Sequence, residues 1–140
     1  MAAILTPRVA AFLERASARP FQYGAHDCAL CIADWGRELT GKDGAADLRG
    51  RYKTKIGCAR VLTREGGLVA VVERCALTIG MQQVATPRAG DVGVIMAKTV
   101  RGDELACAIS LDGRRWALLS TAGVYVGADA APVAKAWGLR

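Results

Sequence analysis

The sequence predicts an α+β fold in which N-terminal helices pack on a small antiparallel sheet. The first half of the chain carries apolar residues at helical spacing, whereas the second half alternates apolar and polar residues in short runs. Helices that come first and strands that come second favour separate layers over the βαβ alternation of a parallel sheet. A length of 140 residues and a hydrophobic content of 52% fit one domain, residues 1–140, with its own core.

Two helices are predicted at the start of the chain. Thr6 and Pro7 have the residue types of an N-cap and a first helical position, and the helix should end near Arg19, which precedes a proline. The second helix is predicted to begin after Asp27 as N-cap and to stop at Gly41. Its apolar stripe consists of Cys28, Cys31, Ile32, Trp35 and Leu39.

The middle of the chain is predicted to contain a loop and two shorter helices. Residues 41–55 are polar and marked by glycine, which is typical of a loop. A third helix is expected over residues 54–65, and a fourth over residues 68–76. The glycine pair at 66–67 separates them.

A meander of strands is predicted for the second half. Strands are expected over residues 91–97, 105–111, 115–120 and 124–126. The dipeptide Asp112-Gly113 indicates a two-residue hairpin turn between the second and third of them. The tail, over residues 129–137, is predicted to form a short helix.

Composition excludes several classes of function. The five cysteines are an odd number without a regular framework, which favours reduced thiols over a disulfide scaffold. No apolar run reaches the roughly 18 residues that a membrane span needs. Because Arg8, Glu14 and Arg15 interrupt the first apolar segment, we expect a helix there rather than a signal peptide, and folding in the cytoplasm.

The net charge of +6 is moderate and is spread along the chain. It fits either a solvated basic face or contact with an acidic polymer such as a cell-wall polymer, and we expect no nucleic-acid binding. The densest basic group consists of Arg49, Arg51, Lys53 and Lys55.

The N-terminus of the second helix carries the candidate chemistry. In YGAHDCALCIADWG, the only histidine of the chain, His26, stands two residues before Cys28. The partial positive charge of a helix N-terminus stabilises a thiolate at that position. A zinc site would need a fourth ligand beyond His26, Cys28 and Cys31, and a thioredoxin-type pair should follow a parallel strand. A papain-like nucleophile fits the order of elements better, so we expect no metal and no cofactor.

The order Y-G-x-x-D-C, then P-x-x-G-D-V, resembles the NlpC-type papain-like cell-wall peptidases. It is similar, more closely, to uncharacterised NlpC-like domains that phages and prophages encode beside tail genes. The matching pieces span nearly the whole chain and lie at residues 21–30, 48–52, 66–67 and 90–92. The resemblance implies a papain-like (NlpC-type) fold.

The chain departs from the NlpC-type pattern at the catalytic base. In those peptidases a histidine opens the second strand in a motif of the form H-V-G-I-Y, and the alignment places Ala106 there. The orienting polar residue should lie within residues 116–119, which are all apolar. His26 could substitute, because residues i and i+2 of an extended segment point the same way. The candidate catalytic residues are therefore Cys28 and His26, which are vestigial if the chemistry is lost. In that case Cys28 is expected to be largely buried and slow to react.

The resemblance implies a structural or adaptor subunit at the tail tip or baseplate of a phage, present in the virion and assembled in the host cytoplasm. The alternative is an active cysteine hydrolase of peptidoglycan, using Cys28 with a nonstandard base. Expected partners are other tail-tip or baseplate proteins, with peptidoglycan as a further candidate. We predict that the loop at residues 41–55, through Arg49, Arg51 and Tyr52, either contacts a neighbouring tail protein or pins the cysteine helix from outside.

Overall fold

The computed structural model describes residues 2–100, 102–127 and 132–140. The α+β class is confirmed, with helices first and an antiparallel sheet second. The helices are α1 (Ala2–Ser17), α2 (Cys28–Thr40), α3 (Lys55–Arg64) and α4 (Leu68–Thr78). The strands are β1 (Gln82–Gln83), β2 (Val92–Thr99), β3 (Gly102–Ser110), β4 (Trp116–Ser120), β5 (Gly123–Val126) and β6 (Val133–Gly138).

The six strands form one sheet in the order β1-β6-β2-β3-β4-β5, and each neighbouring pair is antiparallel. The long hairpin of β2 and β3 forms its centre, with Val94 opposite Cys107. The C-terminal strand β6 returns to the free side of β2, and its register shifts between Val94 and Ile95. The centre of the sheet therefore places the last strand, β6, beside the early strand β2.

The main core lies between the helices and one face of the sheet. Trp35 of α2 is fully buried there, and Phe12 of α1 packs against its ring with centroids 5.3 Å apart. The strands contribute alternate residues to this inner face, which include Val92, Val94, Cys107, Ile109, Leu119 and Trp137. The period of two in the sequence therefore encodes the face that meets the helices.

Trp116 covers the opposite, outer face of the sheet. Its ring lies in a smaller cluster with Ile95, Ala108 and Ala136, and it is 1% exposed. A Cβ at Gly93 would lie 2.9 Å from two carbon atoms of this ring. The small residues Gly93, Ala108 and Ala136 leave the space that the indole of Trp116 fills on this face of the sheet.

The N-terminal helix begins earlier than predicted. It starts at Ala2, and Pro7 lies inside it rather than at its first position. The residues before Thr6 are alanine, isoleucine and leucine, which are good helix formers and extend the helix past the proline. The predicted end, near Arg19, agrees with a last helical residue at Ser17.

The tail is a strand and not the predicted helix. Residues 133–138 form β6 beside β2, while residues 129–131 of the predicted helix lie outside the described residues. Alternation within β6 sends Trp137 into the core and Ala136 to the outer face. The free edge of β2 supplies backbone hydrogen-bond partners for this segment, which outweighs its local preference.

The predicted two-residue turn at Asp112 and Gly113 is also wrong, because β3 ends at Ser110 and β4 begins at Trp116. The Asp112 carboxylate accepts the N–H groups of Arg114 and Arg115, at 2.9 and 2.8 Å, and so closes a wider loop. These hydrogen bonds lower the pKa of Asp112 to about 2. An aspartate that binds the backbone ahead of it favours this loop over the tighter turn.

Replacing Gly93 by alanine is expected to destabilise the fold by about 1–3 kcal/mol, because the new methyl group would overlap the Trp116 ring. Gly127→Ala is the matched control, since its Cβ would meet no atom closer than 3.6 Å. The control should change the free energy of unfolding by less than about 0.5 kcal/mol. Urea denaturation of the three proteins measures both differences, and equal effects would contradict the packing described for Trp116.

Candidate functional site

Asp27 fixes the N-terminus of α2, where Cys28 is the first helical residue. Its backbone is extended, and its Oδ1 accepts the N–H of Leu30 at 2.9 Å, as an N-cap should. The prediction of Asp27 as N-cap and of Gly41 as the stop is confirmed, since Gly41 takes the left-handed conformation with φ of 77°. The position of Cys28 therefore follows from local sequence signals.

The second carboxylate oxygen of Asp27 is bound by two further donors. Oδ2 accepts the N–H of Gly24 at 2.9 Å and the hydroxyl of Tyr52 at 2.8 Å. Asp27 and Tyr52 are both buried, with 2% and 4% exposed. Burial and the adjacent carboxylate raise the pKa of Tyr52 far above its ordinary value, so its hydroxyl remains a donor.

Gly24 allows the segment around Tyr52 to approach this carboxylate. Its φ is +84°, and a Cβ there would lie 2.0 Å from the carbonyl oxygen of Tyr52. The carbonyl of Gly24 accepts the N–H of Gly50 at 2.9 Å. Two separated sequence pieces, Y-G-x-x-D-C and L-R-G-x-Y, therefore form one interlocked unit.

Charged residues hold the rest of the loop against the helices. Arg49 donates to Asp43 through Nε, at 2.8 Å, and contacts Asp34 of α2 through Nη2 at the same distance. Arg51 reaches Glu65 at 3.1 Å. Of the two outcomes predicted for this loop, the described residues make the contact that pins the cysteine helix.

The Cys28 thiol binds the backbone of strand β3. The N–H of Cys107 donates to Cys28 Sγ at 3.1 Å, and the thiol lies 3.4 Å from the carbonyl oxygen of the same residue. The pairing of β4 with β3 covers Ile109 and Ser110. At Cys107, where β4 no longer pairs with β3, the thiol of Cys28 contacts both the backbone N–H and the carbonyl oxygen. The backbone of a neighbouring strand would otherwise bind these two groups.

The pKa values of Cys28 and Cys107 are shifted in opposite directions. A hydrogen bond from the Cys107 side chain, aided by its N–H, lowers the pKa of Cys28, while burial acts against this shift. The same contact and burial raise the pKa of Cys107 well above its ordinary value. Cys28 is therefore the more acidic of the two thiols. Cys28 is only partly buried, where the sequence predicted a largely buried residue.

Cys31 lies one helical turn further on and is a core residue. It is 3% exposed and belongs to the main cluster beneath α2. Burial raises its pKa to about 12, so it remains a neutral thiol at physiological pH. The prediction that Cys31 faces inward is confirmed.

The hydrogen bond of His26 goes to Ala16 near the end of α1, whereas a catalytic dyad would need it to go to Cys28. Its Nε2 lies 2.8 Å from the carbonyl oxygen of Ala16, which only a protonated nitrogen can bind. Its Nδ1 is buried and has no hydrogen-bond partner among the described residues. The structure therefore does not join His26 to Cys28, and the histidine instead ties the turn before α2 to the end of α1.

Ala106 is not the residue that faces the cysteine. It pairs with Ile95, whose side chain belongs to the outer face, whereas Cys107 belongs to the inner core. Ala106, where the resemblance implies the histidine, therefore lies on the face away from Cys28. The residue that contacts Cys28 is Cys107, through its backbone N–H and carbonyl groups.

Residues 90–92, the G-D-V piece, also make contacts that hold the fold together. Trp35 Nε1 donates to the carbonyl of Gly90 at 2.8 Å, which ties α2 to the turn before β2. The buried Asp91 accepts the N–H of Arg88 at 2.7 Å and two hydrogen bonds from the guanidinium of Arg140.

Sequence reasoning missed Cys107, Trp35 and Arg140 as site neighbours. Alternation in β3 placed Cys107 inward, but no sequence signal identified its partner.

Within residues 2–100, 102–127 and 132–140, no group of three or more histidine, cysteine, aspartate or glutamate side chains could hold a metal ion. No helix in the described part of the chain is long and apolar enough to cross a membrane.

The fold and site define an α+β domain built around a capped helix whose first residue is a cysteine. Residues 2–139 match a family described as a domain of unknown function, DUF6950, and the chain belongs to that family. No curated protein and no solved structure matches the sequence.

Replacing Tyr52 by phenylalanine should destabilise the fold by about 1.5–3 kcal/mol, because the Asp27 carboxylate loses a buried donor. Tyr125→Phe is the control, since Tyr125 is 59% exposed, and its effect should stay below about 0.5 kcal/mol. Chemical denaturation with both variants measures the difference. A Tyr52→Phe protein as stable as the parent would mean that the hydroxyl contributes nothing.

The pH dependence of thiol alkylation should separate the two cysteines of α2. We expect Cys28 to react at a lower pH than the same thiol in the unfolded chain, and Cys31, whose pKa is raised to about 12, to stay unreactive at neutral pH. Iodoacetamide labelling across pH, followed by peptide mass spectrometry, gives both curves, and labelling of the urea-unfolded protein gives the reference midpoint. Cys28→Ser should remove the component with the low midpoint, and a Cys28 midpoint at or above that of the unfolded chain would contradict the lowered pKa.

Proposed function

We propose that this protein is a structural subunit of a phage or prophage tail tip or baseplate, built on an NlpC-type papain-like scaffold that has lost the usual chemistry. The assignment to phage tails rests on the resemblance of the motifs at residues 21–30, 48–52 and 90–92. The observation that carries the loss of chemistry is the pairing of Cys28 with Cys107 where a Cys–His pair would be needed.

A cysteine hydrolase needs a base within hydrogen-bond reach of its nucleophile. Cys107 cannot serve, because its raised pKa keeps it a neutral thiol. His26 is bonded to Ala16, and all three hydrogen bonds of Asp27 go to groups that build the fold. The described residues around Cys28 therefore supply no proton acceptor of the usual kind.

The shared motifs support a scaffold role in a second way. Gly24 accommodates a backbone carbonyl, Asp27 caps a helix, and Asp91 binds a turn and the C-terminal arginine. Each of these contacts is made within the fold and maintains its architecture. A chain that keeps these residues keeps its shape, and function then depends on what the surface binds.

Several features support contact with neighbouring tail proteins. Strand β5 ends the sheet, and its Tyr125 and Val126 are 59% and 47% exposed. An open strand edge with apolar side chains is a surface to which another chain can pair. In the loop at residues 41–55, Arg51 is the exposed member of the predicted contact set, whereas Tyr52 is buried and Arg49 is engaged with Asp34 and Asp43. Assembly in the host cytoplasm and a final place in the virion belong to this proposal.

One observation favours the alternative of an active cysteine hydrolase of peptidoglycan stem peptides. Cys28 is partly exposed at a helix N-terminus, and its pKa is lowered. These are properties of a nucleophile, and a base from another chain could complete the site.

We expect no release of soluble fragments from purified peptidoglycan by the isolated protein, because the site lacks a base. The parent, Cys28→Ala and His26→Ala proteins should all equal the blank when reducing ends and free amines are measured. Turnover lost in both variants would overturn the proposal and identify a Cys–His enzyme. Turnover lost only in Cys28→Ala would also overturn it and indicate another base.

The virion role has its own test. Particles induced from the strain that carries the gene and purified by density gradient should contain the protein, at a constant ratio to a major tail protein, as measured by mass spectrometry. A chain found only in the unassembled lysate fraction would contradict a structural role. The peptidoglycan assay does not decide this question, since a subunit of the particle could be present with or without activity.

A further inference from the structure

Cys28 and Cys107 lie far apart in sequence and meet at the N-terminus of α2. Cys28 Sγ lies over the backbone of Cys107, 3.1 Å from its nitrogen and 3.4 Å from its oxygen, across a separation of 79 residues. These two contacts place the sulfur of Cys28 directly beside the residue that carries the second thiol. Cys28 is partly exposed and Cys107 is 1% exposed.

We propose that Cys28 and Cys107 form an oxidisable dithiol, which hydrogen peroxide converts to an intramolecular disulfide. Cys28 is the attacking residue, because it is the partly exposed member of the pair and stands at the N-terminus of α2. Cys107 is the resolving residue, since it is shielded from solvent and held against Cys28. This proposal does not depend on the tail-tip role.

The reaction balances in two steps. The sulfur of Cys28, as thiolate, attacks one oxygen of hydrogen peroxide; the O–O bond breaks, a Cys28 sulfenic acid forms, and hydroxide leaves and is protonated to water. The sulfur of Cys107 then attacks the Cys28 sulfur. The S–O bond breaks, and the departing hydroxide takes the Cys107 proton as a second water. Two thiols and one peroxide become one disulfide and two waters, and the sulfurs supply the two electrons that reduce the peroxide.

The geometry favours Cys107 over Cys31 as the partner. Cys31 shares a C-x-x-C spacing with Cys28, but the hydrogen bonds of the Cys28 sulfur go to Cys107. Cys31 lies in the same core cluster as Trp35 and Val94. The contacts of the Cys28 sulfur with the backbone of Cys107 therefore favour Cys107 as the partner.

A disulfide here would tie the start of α2 to β3 and remove the only cysteine of the pair that reagents can reach. Since the thiol of Cys28 now substitutes for a strand partner of Cys107, the bond would replace a pair of weak hydrogen bonds by a covalent link between the two layers. The oxidised protein should consequently unfold at a higher temperature than the reduced one.

The test treats the reduced, folded chain with hydrogen peroxide, quenches with catalase, and alkylates the remaining thiols under denaturing conditions. We expect two of the five cysteines to escape alkylation, and non-reducing peptide mapping to join the peptides of Cys28 and Cys107. Dithiothreitol should restore full alkylation. Cys75→Ala is the matched control, because Cys75 is also partly buried but packs in the second cluster, and it should leave the cross-link intact.

Cys107→Ala should instead accumulate a sulfenic acid at Cys28, which dimedone traps as a stable adduct. The measurement on the parent chain keeps the test decisive if that variant folds poorly. A cross-link between Cys28 and Cys31 would overturn the proposal. So would oxidation of Cys28 to sulfinic acid without a cross-link, or five thiols that survive peroxide unchanged.

Discussion

The buried carboxylate of Asp27 is the interaction on which the rest of this structure depends. It accepts three hydrogen bonds, one from the helix that it caps, one from Gly24 in the preceding turn and one from Tyr52 in a distant loop. A carboxylate that is only 2% exposed would be costly without such partners. Because all three donors are present, the same group sets where α2 begins, where the loop docks and therefore where Cys28 lies.

The position of Cys28 shows how a cysteine at a helix N-terminus can serve the backbone of a neighbouring strand. The helix end brings the sulfur to the point where β4 ceases to pair with β3, and the thiol takes up the polar groups of Cys107 there. A cysteine in that place stabilises the backbone whether or not it performs chemistry. This structural use, together with the bond of His26 to Ala16, explains why an intact D-C pair in a sequence does not by itself identify an enzyme.

Three of the four sequence pieces, at residues 21–30, 48–52 and 90–92, are joined by contacts that no single piece encodes. Tyr52 completes the capping of Asp27, and Trp35 of the same helix donates to Gly90 before β2. Asp91 then receives the guanidinium of Arg140, which brings β6 to the free side of β2. Each piece supplies a hydrogen-bond partner to another part of the fold, and these contacts account for its residues in structural terms.

The sequence by itself determined the α+β class, the caps of α2 at Asp27 and Gly41, and the helical spacing that turns Cys31 inward. These features depend on neighbours within a few residues, so local propensity and periodicity encode them. Only the tertiary structure decided that the tail is strand β6, that Ala106 lies on the outer face, and that Cys107 rather than His26 meets Cys28. Each of these outcomes depends on a partner from a distant segment. Packing and backbone hydrogen bonding across the sheet then outweigh the local preference.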